Sequence, residues 1–158
     1  MKLAESSLSR LKYQHLVIPD LLADLSEEDL KTQLYPGKWS PMQQLAHLVS
    51  YHEVFIARIQ QILENFNVKF EPYVAGNDAA FVNAQQLSSA ELINELLAHR
   101  ERLSQLLLSL DSGELFRRGF HPVYGNLTIA MWAEFFLLHE AHHIYSLFKM
   151  LTEIKNKV

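Results

Sequence analysis

The 158-residue chain contains no cysteine, which excludes disulfide bonds, thiolate metal sites and a cysteine nucleophile. Basic residues are also few: 14 Lys and Arg stand against 18 Asp and Glu, for a net charge of -4. A protein that binds nucleic acid needs a basic surface to neutralise phosphates, so we expect no nucleic-acid partner. The lack of cysteine fits a reducing compartment, and we expect a cytoplasmic protein.

Long apolar runs are missing as well. The longest, residues 129–138, is interrupted by Glu134 and followed by His139 and Glu140, so it is too short and too polar to span a bilayer. The first seven residues lack the apolar core of a signal peptide. We therefore expect no membrane partner. Hydrophobic residues still make up 49% of the chain, and the length fits a single domain over residues 1–158.

Helical periodicity dominates the sequence, and strand-like alternation is hard to find. Four helical segments are predicted, at residues 4–25, 40–65, 88–110 and 128–154. Capping signals mark three of their starts: Ser40 with Gln43, Ser88 with Glu91, and Thr128. Pro19 is expected to kink the first helix or to split off its last turn. The pattern predicts an all-α four-helix bundle.

Two connections lack a helical pattern. Residues 66–87 contain Pro72 and Gly76 and are long for a loop within a compact domain, which indicates a crossover connection or a functional edge. Residues 117–126 are expected to form another loop. Both segments could form the walls of a pocket.

Eight histidines are the most informative residues of the chain. His139 and His143 are four positions apart, so both imidazoles lie on one helical face and could bind one divalent cation. Trp132 and Phe136 continue that face, which should therefore point into the core. Buried imidazoles need polar partners. A metal would supply them, but backbone carbonyls or buried water would do so equally well.

A third ligand must come from another helix. His47 is the best candidate, because residues 45–48 should be largely buried. The remaining histidines have less support. We expect His15, His52 and His99 to be surface or half-buried residues, His142 to be a surface or interface residue, and His121 to belong to a turn.

Residues 139–143 also spell H-E-x-x-H, the helix motif of zinc proteases. One protease class continues the motif with a glycine and a third histidine, and residues 144–149 contain neither. Others use a carboxylate from a further helix, but the downstream acid Glu153 is on the same helix. We therefore reject the protease interpretation. Glu140 is turned about 100° from His139, which predicts a position at the surface or in a dimer contact.

Two segments of the chain are distinctive: residues 38–48, KWSPMQQLAHL, followed by Glu53 and Arg58, and residues 121–143. Together they resemble the DinB-like (YfiT-type) superfamily. The chain departs from the family at Ser146, where members often carry a glutamine. The resemblance implies an up-down-down-up bundle with a long crossover between the second and third helices, commonly a dimer. It also implies a divalent metal held by His47, His139 and His143.

Three neutral histidines would leave an open coordination position, as in catalytic rather than structural metal sites. Zinc or nickel is expected, although imidazole also suits iron and copper. Some members of the superfamily are thiol S-transferases and others appear to be hydrolases. We therefore expect a metal-dependent enzyme, with transfer of a low-molecular-weight thiol to a small electrophile favoured over hydrolysis. A non-catalytic metal-binding bundle and a metal-free bundle are the alternatives.

Several aromatic residues are candidates for substrate contact, although packing is the commoner role for each of them. They are Trp39, Tyr51, Tyr73 and Tyr124, and Arg58 shares the approximate face of His47.

Overall fold

The computed structural model describes residues 2–156, so Met1, Lys157 and Val158 lie outside the described residues. Three long helices form most of the bundle: α4 (Pro41–Glu64), α6 (Ser89–Ser109) and α7 (Ile129–Lys155). The fourth column consists of α1 (Glu5–Tyr13), a 3-10 turn at Gln14–Leu16 and α2 (Val17–Leu22). The smaller elements are α3 (Glu27–Lys31), α5 (Ala79–Ala84), β1 (Val68–Lys69), β2 (Arg118–His121) and β3 (Gly125–Thr128). The predicted all-α bundle is confirmed.

Local capping determines where the long helices begin. Ser40 and Gln43 form a complete capping box at α4, and Pro41 occupies its first turn, where a missing N–H costs nothing. The same reciprocal bonds join Ser88 to Glu91 at α6. Thr128 accepts a hydrogen bond from the backbone N–H of Met131 at α7. All three predicted helix starts are confirmed.

Contacts between the helices define an up-down-down-up order. His47 lies against His143 and Phe55 against Trp132, so α4 and α7 are antiparallel. Arg10 pairs with Glu134, and Lys155 donates to the carbonyl of Ala23, so the first column is parallel to α7. Two core clusters show that α4 and α6 are parallel. The lower-numbered halves of both helices share one cluster, and the higher-numbered halves share the other. Residues 66–87 are therefore the crossover.

The first column splits at a 3-10 turn, Gln14–Leu16, one turn before Pro19. This is where a proline disturbs a helix, because its ring crowds the carbonyl four residues earlier, here that of His15. The guanidinium of Arg100 donates hydrogen bonds to the backbone carbonyls of Arg10 and Leu11 beside the break, a contact from α6 that the local sequence does not signal. The crossover, predicted to lack a period, contains the short helix α5.

The prediction of a loop at 117–126 is wrong. Strands β2 and β3 form an antiparallel hairpin there, and β1 pairs in parallel with β2. The side chains of β2 alternate between exposed and buried. Four residues are too few for this alternation to stand out in the sequence. Position 119 of β2 requires glycine, because a Cβ there would come 2.7 Å from the side chain of Ile62 on α4.

Among the helices of the described residues, none combines the length and the apolar character needed to cross a membrane.

Gly119→Ala is expected to lower the free energy of unfolding by about 1–3 kcal/mol, because the added methyl overpacks a closed contact. Gly76→Ala is the matched control, since a Cβ at residue 76 would meet no atom within 4 Å. Urea unfolding measures both. The double variant Gly119→Ala/Ile62→Val should regain part of the loss, and equal stability of the two single variants would contradict this account of the hairpin.

Candidate metal centre

Helices α4 and α7 bring three imidazoles together inside the bundle. Within residues 2–156, His47, His139 and His143 form the one group of at least three potential ligands whose ligating atoms all lie within 4.8 Å of one another. Nε2 of His139 is 3.3 Å from Nε2 of His47 and 3.1 Å from Nε2 of His143. We call these residues the three-histidine cluster. It joins the histidines that the sequence analysis proposed as ligands.

These separations fit nitrogen ligands around one small cation. Ligands placed tetrahedrally at about 2.0–2.1 Å from zinc are separated from one another by about 3.3–3.4 Å. Hydrogen bonding alone explains the cluster poorly. A ring nitrogen carries either one proton or one lone pair, so His139 Nε2 cannot form full hydrogen bonds to both neighbours at once. The donor set and its spacing therefore fit a divalent metal.

The cluster is held in the neutral form that a metal requires. Burial is the largest influence on all three rings, and the neighbouring histidines add to it. Together they lower the pKa of His139 to about 2 and that of His143 to about 3. Burial also lowers the pKa of His47 to about 4, against an opposing influence from the Asp78 carboxylate. Neutral imidazoles have a lone pair available for coordination at physiological pH.

Aromatic side chains surround the cluster. The Trp39 ring lies 5.0 Å from His47, and the Tyr51 ring lies 4.2 Å from His139. From the crossover, Tyr73 and Phe81 approach His47 at 5.7 and 6.1 Å, so this segment does form one wall of the site. Arg58 lies elsewhere: it is stacked over Phe70 and Trp132 and donates to the carbonyl of Glu71.

An apolar groove opens beside His139. It is lined by Tyr124, Leu127, Met131, Phe135 and Leu138, together with Glu134, His139 and His142, and has a volume of about 580 Å³. The carboxylate of Glu134 is occupied by Arg10 and Ser7. Of the predicted aromatic contacts, Tyr124 lines this groove, while Trp39 and Tyr51 pack on the cluster itself. His121, buried at the end of β2, accepts from the N–H groups of Val123 and Tyr124 and so does belong to the turn.

The expected surface position of Glu140 is wrong. Its side chain is fully buried, with Nε2 of His52 and Nε of Arg100 each 3.5 Å from its Oε1. Burial by itself raises the pKa of Glu140, but His52 and the Arg100 charge outweigh it, so the carboxyl has a lowered pKa. His15 accepts from Arg100 Nε, and Gln14 donates to Glu140. These residues form a buried ion network beside the cluster.

The same network corrects two further predictions. His15 and His52 are buried, not exposed or half-buried, because both face this network. His99 is half-buried and His142 is exposed, as expected. At the position where the family often has glutamine, Ser146 donates to the carbonyl of His142 within its own helix.

Sequence reasoning missed Gln44. Its side-chain oxygen accepts a hydrogen bond of 2.6 Å from Nδ1–H of His143. The available signal was its position three residues before His47, which places both side chains on one face of α4.

Fold and site together define a four-helix-bundle protein with a buried cluster of three histidines. Residues 14–147 match the sequence profile of the DinB superfamily, and the chain belongs to that family.

Known proteins of similar sequence or structure agree with this assignment. The uncharacterised protein YuaE of Bacillus subtilis is 32% identical over 72 residues, which are 46% of this chain and 42% of YuaE. The chain thus matches less than half the length of that relative. The structure of YfiT from Bacillus subtilis superposes with a TM-score of 0.78 at 18% identity, covering 97% of this chain and 86% of YfiT. YfiT is described as "a probable metal-dependent hydrolase with an unusual four-helix bundle topology". The DinB-like protein YjoA of the same organism gives a TM-score of 0.64 at 18% identity, covering 96% and 92% of the two chains.

The stability of the metal-free protein is expected to fall as the pH drops below about 6.5. The unfolded chain takes up protons on its histidines there, whereas the folded state holds the pKa of His15 and His47 near 4 and that of His143 near 3. The dependence fades as the pH rises about a unit above 6.5, where the histidines are neutral in both states. Between pH 6.5 and 5 each such histidine contributes a slope of up to about 1.4 kcal/mol per pH unit.

Urea unfolding in the presence of a chelator measures this slope. His15→Gln should lower the slope by one histidine and leave the cluster intact. Constant stability from pH 7 to pH 5 would show that the buried histidines accept protons without cost.

Proposed function

We propose that this protein is a divalent-metal-dependent enzyme whose cation is held by His47, His139 and His143. The observation that supports this proposal is the convergence of three neutral imidazoles, with Nε2 of His139 lying 3.3 Å from that of His47 and 3.1 Å from that of His143. Three protein ligands leave a coordination position open for water or substrate. A cation held there would lower the pKa of a coordinated water or thiol and so supply a nucleophile near neutral pH.

The substrate we propose is a small electrophile with an apolar portion. The groove beside His139 has the size of a small-molecule site, and its only carboxylate is already paired with Arg10. Tyr124 is 62% exposed, and we assign it to substrate contact. Trp39 packs on His47 and Tyr51 packs on His139, so both would reach only the part of a substrate next to the metal.

We propose a low-molecular-weight thiol as the nucleophile. A neighbouring carboxylate would assist water as a general base, and the candidate carboxylates are engaged. Asp78 accepts from the Tyr73 hydroxyl and from the backbone N–H of Ala80, while Glu140 belongs to the buried ion network. A thiol ionises far more readily than water and needs less assistance. In the transfer, a sulfur–carbon bond forms, the leaving group departs with its bonding electron pair, and the thiol proton passes to solvent.

Hydrolysis is the second candidate. It is favoured by the structural similarity to YfiT, which is described as a probable metal-dependent hydrolase. Water would then replace the thiol at the same open position, and the apolar groove would hold the acyl or leaving group. The homodimer and the cytoplasmic location stay predictions.

Protein purified without a histidine tag is expected to bind one equivalent of Zn²⁺ or Ni²⁺ per chain. Binding to the folded state alone stabilises it by about 2.7 kcal/mol when free metal is 100 times the dissociation constant. His47→Ala and His139→Ala should abolish both the binding and the stabilisation. His142→Ala is the matched control, because His142 is exposed and adjacent to His143 in the chain. Calorimetry and metal analysis that find wild-type levels of bound metal in His47→Ala would overturn the assignment.

The nucleophile is tested on the metal-loaded protein. We expect conjugation of glutathione or bacillithiol to an aryl halide, at a rate that depends on thiol concentration and is lost in His139→Ala. Turnover of aryl esters without added thiol would instead establish the hydrolase. Failure of both reactions across a panel of electrophiles and esters, with metal bound, would leave a binding protein and refute the enzyme.

A further inference from the structure

The three rings of the cluster differ in what holds their second nitrogen. Nδ1 of His47 and Nδ1 of His139 are buried and have no hydrogen-bond partner, whereas Nδ1 of His143 is 2.6 Å from Gln44 Oε1. An amide oxygen can only accept, so Nδ1 of His143 must carry the proton. The lone pair of that ring is therefore on Nε2, the atom that faces His139 at 3.1 Å.

We propose that Gln44 is the positioning residue of the metal centre: it selects the His143 tautomer and fixes the ring so that Nε2 points into the cluster. This inference rests on the proposed metal function. Outer hydrogen bonds of this kind orient a ligating imidazole and raise its basicity. Within the described residues, Gln44 is the one side chain that forms such a bond to a ring of the cluster.

The position of Gln44 suits this role. It lies in the first turn of α4, where its backbone N–H donates to the carbonyl of Ser40, so the capped helix start holds its main chain. It is half-buried and one turn before His47, so one short helical segment provides both a ligand and the support for a ligand on α7. The neighbouring Gln43 faces elsewhere, since its side chain completes the capping box and donates to Gln85.

Three variants separate positioning from simple packing. Gln44→Leu keeps the approximate volume and removes the acceptor, while Gln44→Glu keeps an acceptor at the same reach. Gln43→Leu is the matched control, because it removes only the bonds of the Gln43 side chain to the Ser40 N–H and to Gln85, while Ser40 Oγ still caps the helix and the His143 contact stays intact. Metal affinity is measured by chelator competition with Zn²⁺. We expect Gln44→Leu to lose about 10- to 100-fold in affinity, with Gln44→Glu and Gln43→Leu close to wild type.

The second readout is independent of metal. Nitrogen-15 NMR of the histidine rings in chelator-treated protein should show His143 protonated at Nδ1 in the wild type and in Gln43→Leu. In Gln44→Leu, the Nε2-protonated form should appear. An unchanged His143 tautomer in Gln44→Leu, or wild-type affinity for zinc in that variant, would overturn the positioning role. If the wild type binds no zinc, the metal function fails, and the tautomer measurement still decides whether Gln44 controls His143.

Discussion

The antiparallel register of α4 against α7 is the constraint on which the site depends. His47 lies near the start of α4, and it meets His143 only because the core contacts along the two helices hold them in one alignment. A slip of one helical turn would move His47 by about 5.4 Å, farther than a coordination bond can reach. The capping box at Ser40 and the N-cap at Thr128 determine where each helix begins. Local hydrogen bonds thus help to align histidines that are far apart in the sequence.

A second polar cluster lies directly beside the first. Burying Glu140 is costly, and Arg100 offsets the cost while also donating to the carbonyls of Arg10 and Leu11 near the end of α1. The two clusters are adjacent because His139 and Glu140 are consecutive residues on α7 and face different helices. His139 therefore lies on the face of α7 that is turned to the three-histidine cluster, whereas Glu140 lies on the face that is turned to Arg100 of α6. Because the Glu140 carboxylate is paired with Arg100, its negative charge is balanced within this second cluster and not by the three neutral histidines.

The parts of the structure that the sequence predicts are those determined by neighbouring residues. Capping signals at Ser40, Ser88 and Thr128 predict helix starts, and the spacing of His139 and His143 predicts one ligand face. Apart from the shortness of the hairpin strands, the failures involve residues distant in the chain. Glu140 is buried because Arg100 comes from α6, and Gly119 permits a strand because it packs on Ile62 of α4. Gln44 escaped notice because the ring that it contacts is 99 positions away.

The chemical character of the site follows from what surrounds the three histidines. Neutral ligands leave the full charge of a bound cation to act on its open position, which a carboxylate ligand would reduce. The groove beside His139 is apolar, and its one carboxylate, that of Glu134, is paired with Arg10. The groove therefore suits an apolar, uncharged substrate. In the reaction proposed here the nucleophile would enter from solution, because Asp78 and Glu140 are both engaged and the chain has no cysteine. A reagent that ionises easily, as a thiol does, makes the smallest demand on such a site.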